Sequence, residues 1–210
     1  MLDAETLLTT TRSVRRRLDL DRPVESRLIE ESLTVALQAP NGADTQAWRF
    51  VVVVDSARRR RIGEWYRTAN EGFAAQVRIQ AEAGDRQAQR KLASSGVFWE
   101  HLGEVPVLVV ACFERQDWFD PASAYARGSA YGSIFPAVWN FQLACRLRGL
   151  GSCLVTSQLH FAAEIAELLE LPPDFEQAAM IAVAHLRGDN EFSPAPRRPL
   201  EEVLRYDRWS

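Results

Sequence analysis

A short basic run near the start of the chain has the composition of a phosphate-binding site. Residues 11–17 read TRSVRRR and hold four arginines, with Ser13 between Arg12 and Arg15. A guanidinium group can donate two parallel hydrogen bonds to phosphate oxygens, and a serine hydroxyl adds a further donor. The same run also suits a solvated basic surface. A nucleic-acid or nuclear-localisation role has less support, because no second basic patch with interleaved aromatic residues follows.

A second polar segment has the composition of a ligand-binding loop. Its turn formers are Pro40, Asn41, Gly42 and Asp44. Glycine tolerates a positive φ, and Asn and Asp side chains bond to nearby backbone, so the loop can direct N–H groups at a flat polar ligand. The five apolar residues 50–54 follow without alternation, which predicts a strand at the centre of a sheet, covered on both faces. Without a ligand, the segment is simply a loop that leads into a core strand.

The motifs of several common enzyme classes are missing. The sequence has no GxxxxGK[ST], GxGxxG or GxSxG, which excludes the Walker and Rossmann phosphate loops and the nucleophile elbow. His101, His160 and His185 lie far apart without HxxxH, HExxH or paired cysteines, so no metal site is predicted. Because the side chains offer no obvious acid, base or nucleophile, an enzyme built from this chain would take its reactivity from a bound cofactor.

The size and composition of the chain predict one globular domain. Its 210 residues allow one sizeable core, and 47% apolar and 25% charged residues are ordinary values for soluble proteins. The net charge of −3 gives no basic field for nucleic acid or an anionic membrane. No apolar run is long enough to cross a bilayer, and the start lacks a signal-peptide pattern, so we expect a cytoplasmic protein. The cysteines at 112, 145 and 153 lie in apolar surroundings, which predicts buried, reduced thiols.

Helices and strands alternate along the chain in the predicted layout. Apolar periodicity and capping residues predict helices over 4–10, 25–38, 129–148 and 161–171, another that begins at Asp55 or Ser56, and partly exposed helical segments over 70–104. Continuous apolar runs predict strands over 50–54, 105–113, 153–155 and 178–186. Residues 149–152 should end the long helix, and residues 114–128 should form a loop rich in exposed aromatic side chains. This mixture favours an α/β layered sheet.

The long helix and the tail both predict contacts beyond their own surroundings. Apolar residues lie nearly all round residues 129–148, so that helix must be buried in a large core or against a second copy of the chain. The tail is held extended by prolines and ends in an apolar pattern at Leu200, Val203, Leu204 and Trp209. A tail of that kind tends to dock on another surface.

Three segments, taken in order, resemble the nitroreductase family of flavoproteins. They are TRSVRRR near the start, APNGADTQAWRFVVV about 30 residues later, and GLGSCLVTS leading to APRRPLEEVL at the end. The resemblance implies a single domain over 1–210 with an α+β fold, in which helices wrap a mostly antiparallel sheet. It also implies an intertwined homodimer with two FMN at its interface, which would account for the all-round apolar helix and the docking tail.

The resemblance assigns cofactor-binding roles residue by residue. Arg12, Ser13 and Arg15 match the N-terminal contacts to phosphate and ribityl chain, and Arg197 or Arg198 matches the C-terminal contact to the phosphate. The loop that meets the flavin ring matches Pro40, Asn41, Gly42 and Asp44, with Gln46 nearby. The segment past flavin N5 matches Leu154, Val155, Thr156 and Ser157. No side chain is assigned as a catalytic acid or base, and no metal ligand is implied.

This sequence departs from the family pattern at two positions. Thr11 stands where the family often has arginine, which removes one cation from the phosphate clamp. Asp44 stands where the family usually has asparagine. An ionised aspartate accepts a hydrogen bond but donates none, and its charge disfavours an anionic reduced flavin.

The activity implied by the resemblance is hydride transfer from NADH or NADPH through flavin N5 to a nitroaromatic or quinone. One shared pocket would make the kinetics ping-pong. Two alternatives remain open from the sequence. One is a flavin-dependent dehydrogenase that does not use NAD(P)H, and the other is a non-enzymatic protein that sequesters flavin.

Overall fold

The computed structural model describes residues 2–209 and builds them around one four-stranded antiparallel sheet. The strands are β1 (Trp48–Val53), β2 (Val107–Glu114), β3 (Leu150–Val155) and β4 (Phe175–His185). Their order across the sheet is β1-β2-β4-β3, and every neighbouring pair is antiparallel. The antiparallel sheet with its surrounding helices confirms the α+β fold implied by the resemblance, and the α/β class favoured by the order of elements is wrong.

Seven α-helices accompany the sheet within these residues. They are α1 (Ala4–Thr10), α2 (Ser26–Ala36), α3 (Ser56–Glu82), α4 (Arg86–His101), α5 (Ala124–Leu147), α6 (Ala162–Leu168) and α7 (Leu200–Val203). Short 3-10 turns cover Gly42–Asp44, Leu102–Glu104 and Ser157–Phe161. No helix between residues 2 and 209 is both long and apolar enough to cross a membrane.

The two faces of the sheet are covered by different helix pairs. Leu108 and Val110 of β2 point into a cluster with α3 and α4. Val107 and Val109, which alternate with them, point into a second cluster with α2 and α5. Since successive strand residues face opposite sides, a strand covered on both faces is apolar without interruption. The three free cysteines are all buried, as the sequence predicted.

The prediction that residues 50–54 form the centre of the sheet is wrong. β1 is an edge strand that pairs only with β2 among the described strands, and Val52 remains 37% exposed. The central positions belong to β2 and β4, whose burial is almost complete. The prediction that this run is covered on both faces is also wrong in part, since only Trp48 and Val53 of β1 are buried. An apolar run carries no information about which strands lie beside it.

Several element boundaries also differ from the predictions. The Asp55 carboxylate caps α3 by accepting from the Arg58 N–H, as predicted. α5 begins five residues before position 129, because the Ser123 side chain accepts from the Ala126 N–H and caps it there. Gly149 alone ends this helix, with φ +74°, and β3 starts at the next residue instead of at Cys153. The predicted helix over 161–171 is shorter in the structure, where a 3-10 turn ends at Phe161 and α6 spans only Ala162–Leu168.

Candidate functional site

A concavity of about 350 Å³ lies at the C-terminal end of β3, and we call it the β3 hollow. The structure brings Arg15 together there with the predicted segment Leu154, Val155, Thr156 and Ser157. The remaining lining residues come from α3 and α4: Tyr66, Asn70, Phe73, Lys91, Ser95 and Trp99. The basic run and the β3 segment, more than 100 residues apart in sequence, therefore form one surface.

Backbone and side-chain hydrogen bonds hold the hollow together. The Val14 N–H donates to the Ser152 carbonyl at 2.8 Å, which fixes the basic run beside β3. The Ser157 hydroxyl donates to Asn70 Oδ1 at 3.1 Å, and the Asn70 amide donates to the Tyr66 carbonyl at 2.7 Å. Burial raises the pKa of the Tyr66 phenol, which therefore stays protonated near neutral pH. This network joins α3 to the end of β3.

The far wall of the hollow is aromatic and carries one cation. The rings of Phe73 and Trp99 meet edge to face, with centroids 5.7 Å apart. The ammonium of Lys91, the only lysine in the chain, lies 6.0 Å from the Phe73 centroid. Sequence reasoning missed this wall, because residues 70–104 read as partly exposed surface helix. The single lysine in an arginine-rich chain was the signal that could have indicated it.

The predicted ring-binding loop lines a different concavity. Gly42 and Ala43 border a space of about 210 Å³ whose walls are mostly aromatic and apolar, including Trp48, Phe113 and Trp118. No lining residue is common to this space and the β3 hollow. Pro40, Gly42, Asp44 and Gln46 are exposed, and Asn41 is half-buried. Within one chain, therefore, the loop and Arg15 do not line the same cavity.

The loop is held by its own hydrogen bonds. The Gly42 N–H donates to the Ser133 hydroxyl of α5 at 2.9 Å. The Asn41 side-chain oxygen accepts from the Gln46 N–H at 3.0 Å, which is the side-chain-to-backbone bond expected of it. The Gln46 side-chain amide donates to the Asp44 carboxylate at 3.0 Å. These contacts fix the loop against α5.

The loop has left-handed backbone at three residues, but not at Gly42, where the sequence predicted it. The φ angles of Ala43, Asp44 and Gln46 are +50°, +51° and +47°, whereas Gly42 is not left-handed. For residues with a side chain this conformation costs about 1–2 kcal/mol each. Strain of this kind is concentrated at functional sites, where the surrounding structure maintains it.

The remaining predicted phosphate contacts lie at the two ends of the chain. Arg12 reaches across to the segment after β4, where its guanidinium donates to the Ser193 carbonyl and lies 5.8 Å from the Phe192 ring centroid. Ser13 is exposed. Arg197 and Arg198 are also exposed, and the Arg197 guanidinium donates to the Pro196 carbonyl. The convergence of Arg12 with Arg197 or Arg198 on one phosphate stays a prediction.

The chemistry of the β3 hollow suits an anionic, partly aromatic ligand. Its lining residues include two cations, Arg15 and Lys91, and no carboxylate. The Thr156 and Ser157 hydroxyls add neutral donors, and Phe73 and Trp99 add flat apolar surface. Because no lining residue forms an acid–base pair or a nucleophile with an activating neighbour, the hollow can bind and orient a reactive molecule but supplies no reactive group of its own.

Comparison with known proteins shows which family the chain resembles in sequence. A family model described as "Nitroreductase family" matches residues 8–185. The iodotyrosine deiodinase of Danio rerio is 25% identical over 202 residues, which cover 95% of this chain and 65% of that protein. The chain thus spans slightly less than two thirds of that relative's length. The iodotyrosine deiodinase of Thermotoga neapolitana is 27% identical over 205 residues, which cover 96% of this chain and 97% of the relative.

A solved structure shares the whole fold. An iodotyrosine deiodinase bound to FMN and 3-iodo-L-tyrosine superposes with a TM-score of 0.71 at 23% identity. The superposition covers 97% of this chain and 98% of that protein. At this level of identity the likeness establishes the fold alone.

Proposed function

Because the chain belongs to the nitroreductase family, we propose that it is an FMN-dependent oxidoreductase that passes hydride from NAD(P)H to a small acceptor such as a nitroaromatic or quinone. The observation that carries the proposal is the β3 hollow, where Arg15 and the Leu154–Ser157 segment meet on a surface without carboxylates. The bound FMN would supply the hydride-transfer chemistry, which the side chains of the hollow lack.

The charges of the predicted residues suit the anionic end of FMN. Arg12 and Arg15 would hold its anionic end together with Ser13 and an arginine from the tail, Arg197 or Arg198. A buried Nε of Arg12 has no hydrogen-bond partner in this structure, which is the state expected of a group that awaits an anion. Thr156 and Ser157 would offer hydroxyls to the polar edge of the ring.

A homodimer would complete the site. In one chain the Asn41 loop lies outside the hollow, so a second copy would be needed to place that loop opposite Arg15. α5 leaves Trp139 38% and Leu147 48% exposed. The tail leaves Leu200 66% and Trp209 90% exposed. Burial of these apolar groups against a second chain would stabilise the assembly. Sedimentation equilibrium should give twice the chain mass, and a monomer at micromolar concentration would contradict this part of the proposal.

The role of the protein is to bind, orient and exclude water. One hollow would admit NAD(P)H and the acceptor in turn, which gives ping-pong kinetics. The walls from α3 and α4 would keep water from the reacting atoms, and Arg15 would hold its ligand by charge-assisted hydrogen bonds. Asp44, an ionised carboxylate in place of an amide, would disfavour negative charge near the Asn41 loop.

An absorbance spectrum tests the proposal directly. Purified protein should be yellow, or should become so after FMN is added and excess removed, and NADPH should bleach it under anaerobic conditions. A nitroaromatic or quinone should then restore the colour. A protein that takes up no FMN would refute the proposal. One that binds FMN tightly but is not bleached by NADH or NADPH would instead be a sequestering protein or a dehydrogenase with a different donor.

A second candidate function is the reductive removal of iodine from an iodotyrosine-like substrate. Two relatives carry the name iodotyrosine deiodinase, and in the hollow Lys91 lies beside Phe73 and Trp99. A cation next to aromatic walls suits an aromatic acceptor that bears a carboxylate. In such a reaction two electrons and a proton replace carbon–iodine by carbon–hydrogen and release iodide. Reduced holoprotein should then release iodide from 3-iodo-L-tyrosine, more slowly after Lys91→Met, and absence of iodide would exclude this candidate.

A further inference from the structure

Arg146, near the C-terminal end of α5, is a buried cation without a counter-ion. Its side chain is 4% exposed, and none of the ion pairs formed by residues 2–209 includes it. The guanidinium donates to the Thr11 hydroxyl at 3.1 Å, while its buried Nε has no hydrogen-bond partner. Burial of an unpaired charge is costly, so the native site is expected to offset it with an anion.

Arg12 adds a second guanidinium without a carboxylate partner at the same place, although one of its terminal nitrogens donates to the Ser193 carbonyl. The Nε of Arg12 is also buried without a partner, and both guanidinium groups face the ring of Phe192, with centroid distances of 5.8 Å for Arg12 and 5.1 Å for Arg146. Burial, and then the nearby charge of Arg12, lower the pKa of Arg146 from its usual value. Two guanidinium groups without a carboxylate partner thus lie close to the same aromatic ring.

Arg17 provides a contrast within the same cluster. Its guanidinium lies 4.7 Å from the Phe192 centroid and forms an ion pair with Asp189 at 2.9 Å. The chain therefore supplies a carboxylate for one of the three arginines around Phe192 and leaves Arg12 and Arg146 without one. A bound anion would provide the negative charge that pairs with Arg12 and Arg146.

The contact with Thr11 places Arg146 beside a position that the family pattern gives to the phosphate clamp. Position 11 is where the family often places an arginine of the phosphate clamp, and the departure at Thr11 removes that cation. We propose that Arg146 supplies, from α5, the phosphate-binding cation that position 11 lacks, and that it acts with Arg12 on the phosphate monoester of FMN. The inference rests on the proposed FMN-dependent function and extends it to a residue that the family pattern does not assign.

Phe192 covers this phosphate position in the structure. A void of only about 10 Å³ lies between Thr11, Arg146, Ser152 and Phe192, which is room for no more than one water. Phe192 is half-buried and lies between β4 and α7, where residues 190–199 form neither helix nor strand. Its displacement would break no backbone ladder. Phosphate binding therefore replaces the weak attraction of the ring for the two cations with full charge pairing.

The test compares FMN with riboflavin, which lacks the phosphate, by flavin fluorescence titration of the apoprotein. Arg146→Gln should weaken FMN binding by about 10- to 100-fold, as expected for a lost charge-assisted hydrogen bond. It should change riboflavin binding less than about twofold, since no phosphate is involved. Arg16→Gln is the matched control, because Arg16 is an exposed arginine of the same basic run. Thr11→Arg in the Arg146→Gln background should restore most of the FMN affinity and leave riboflavin unchanged.

The outcomes separate this inference from the proposed function. If the unmodified protein binds no FMN, the proposed function fails. If it binds FMN and Arg146→Gln binds it equally well, the role of Arg146 is wrong while the proposed function stands. If Arg146→Gln does not fold, the single variant Thr11→Arg tests the inference. A second cation beside Arg146 should tighten FMN binding several-fold without affecting riboflavin, and equal tightening of both, or of neither, overturns the inference.

Discussion

The β3 hollow and the Asn41 loop are two candidate halves of one site, and they are built in opposite ways. The hollow is assembled from distant parts of the chain and lined by buried groups such as Tyr66 and Asn70. The loop is local, mostly exposed, and strained at Ala43, Asp44 and Gln46. One half is therefore preformed by packing, whereas the other is presented outward on a rigid support.

This difference indicates what each half requires from its surroundings. The hollow needs the packing of α3 and α4 to remain intact, because its walls are side chains of these two helices and of the end of β3. The loop needs a binding partner opposite it, because strained backbone is concentrated at functional sites and this loop is exposed in the single chain. A second copy of the chain would supply that opposite surface. The following substitutions separate the two halves, from the largest expected effect to the smallest.

Tyr66→Ala should disrupt the packed half most. The side chain is 4% exposed, and its ring meets Phe98 edge to face at 6.2 Å. Its removal leaves a cavity between α3, α4 and the sheet, and should lower the free energy of unfolding by about 3 kcal/mol. Urea denaturation measures this loss. Phe73→Ala is the control, since Phe73 lines the same hollow but is 50% exposed, and a similar loss there would show that packing does not distinguish them.

Arg15→Gln should weaken FMN binding while it leaves the fold intact. Arg15 lines the hollow and is half-buried, so the loss of one charge-assisted hydrogen bond should cost about 1.5–3 kcal/mol of binding free energy. Asp44→Ala in the exposed loop should change binding by less than about 1 kcal/mol. Fluorescence titration gives both values. A larger effect at Asp44 than at Arg15 would reverse the roles assigned to the two halves.

Ala43→Gly should relax the strained half. A left-handed alanine costs about 1–2 kcal/mol, and glycine removes that cost but gives back about 0.5–1 kcal/mol through the greater freedom of the unfolded chain. The net gain in unfolding free energy should be between zero and about 1.5 kcal/mol by urea denaturation. FMN affinity should fall slightly, because a more flexible loop binds with a larger loss of entropy. A destabilised variant would contradict the strain that φ +50° at Ala43 implies.

The smallest expected effect is on the stability of α4, the helix that carries Lys91 and Trp99. The N–H groups of Ala88 and Gln87 donate to Asp85 and hold the pKa of that carboxyl below its usual value of 3.8. The cap is therefore fully present above the unfolded pKa and is lost as pH falls through the lower folded pKa. Asp85→Ala should lower Tm by a constant amount above about pH 5, with the difference shrinking in stronger acid. Asp85→Asn, which keeps an acceptor, should remove the pH dependence but little of the cap.

Much of the fold follows from the sequence, because burial has a periodic signature. β2 and β4 were predicted from continuous apolar runs, and the Asp55 cap from its residue type. The edge position of β1 was beyond such reasoning, since the residue types of a strand do not show which strands lie beside it. The early start of α5 at Ala124 depended on one serine cap among several polar residues.

The candidate site was predictable only where its residues are consecutive. Arg15 and the Leu154–Ser157 segment lie in short motifs that carry their own pattern. Tyr66, Asn70 and Lys91 are scattered over two long helices, and only the antiparallel packing of α3 on α4 brings them together. Arg146 was hidden in another way, since an arginine within an apolar helix is indistinguishable in sequence from one that is solvated.

The burial of the cysteines has a consequence for a protein that we propose to be an oxidoreductase. Burial raises the pKa of the Cys112 and Cys145 thiols to about 12 and raises that of Cys153, which lies in β3 next to the hollow. The thiolate is the form that peroxide attacks, and at these values almost none exists near neutral pH. Peroxide generated beside the hollow would therefore react slowly with these three thiols, and activity should survive repeated aerobic turnover without an added reductant.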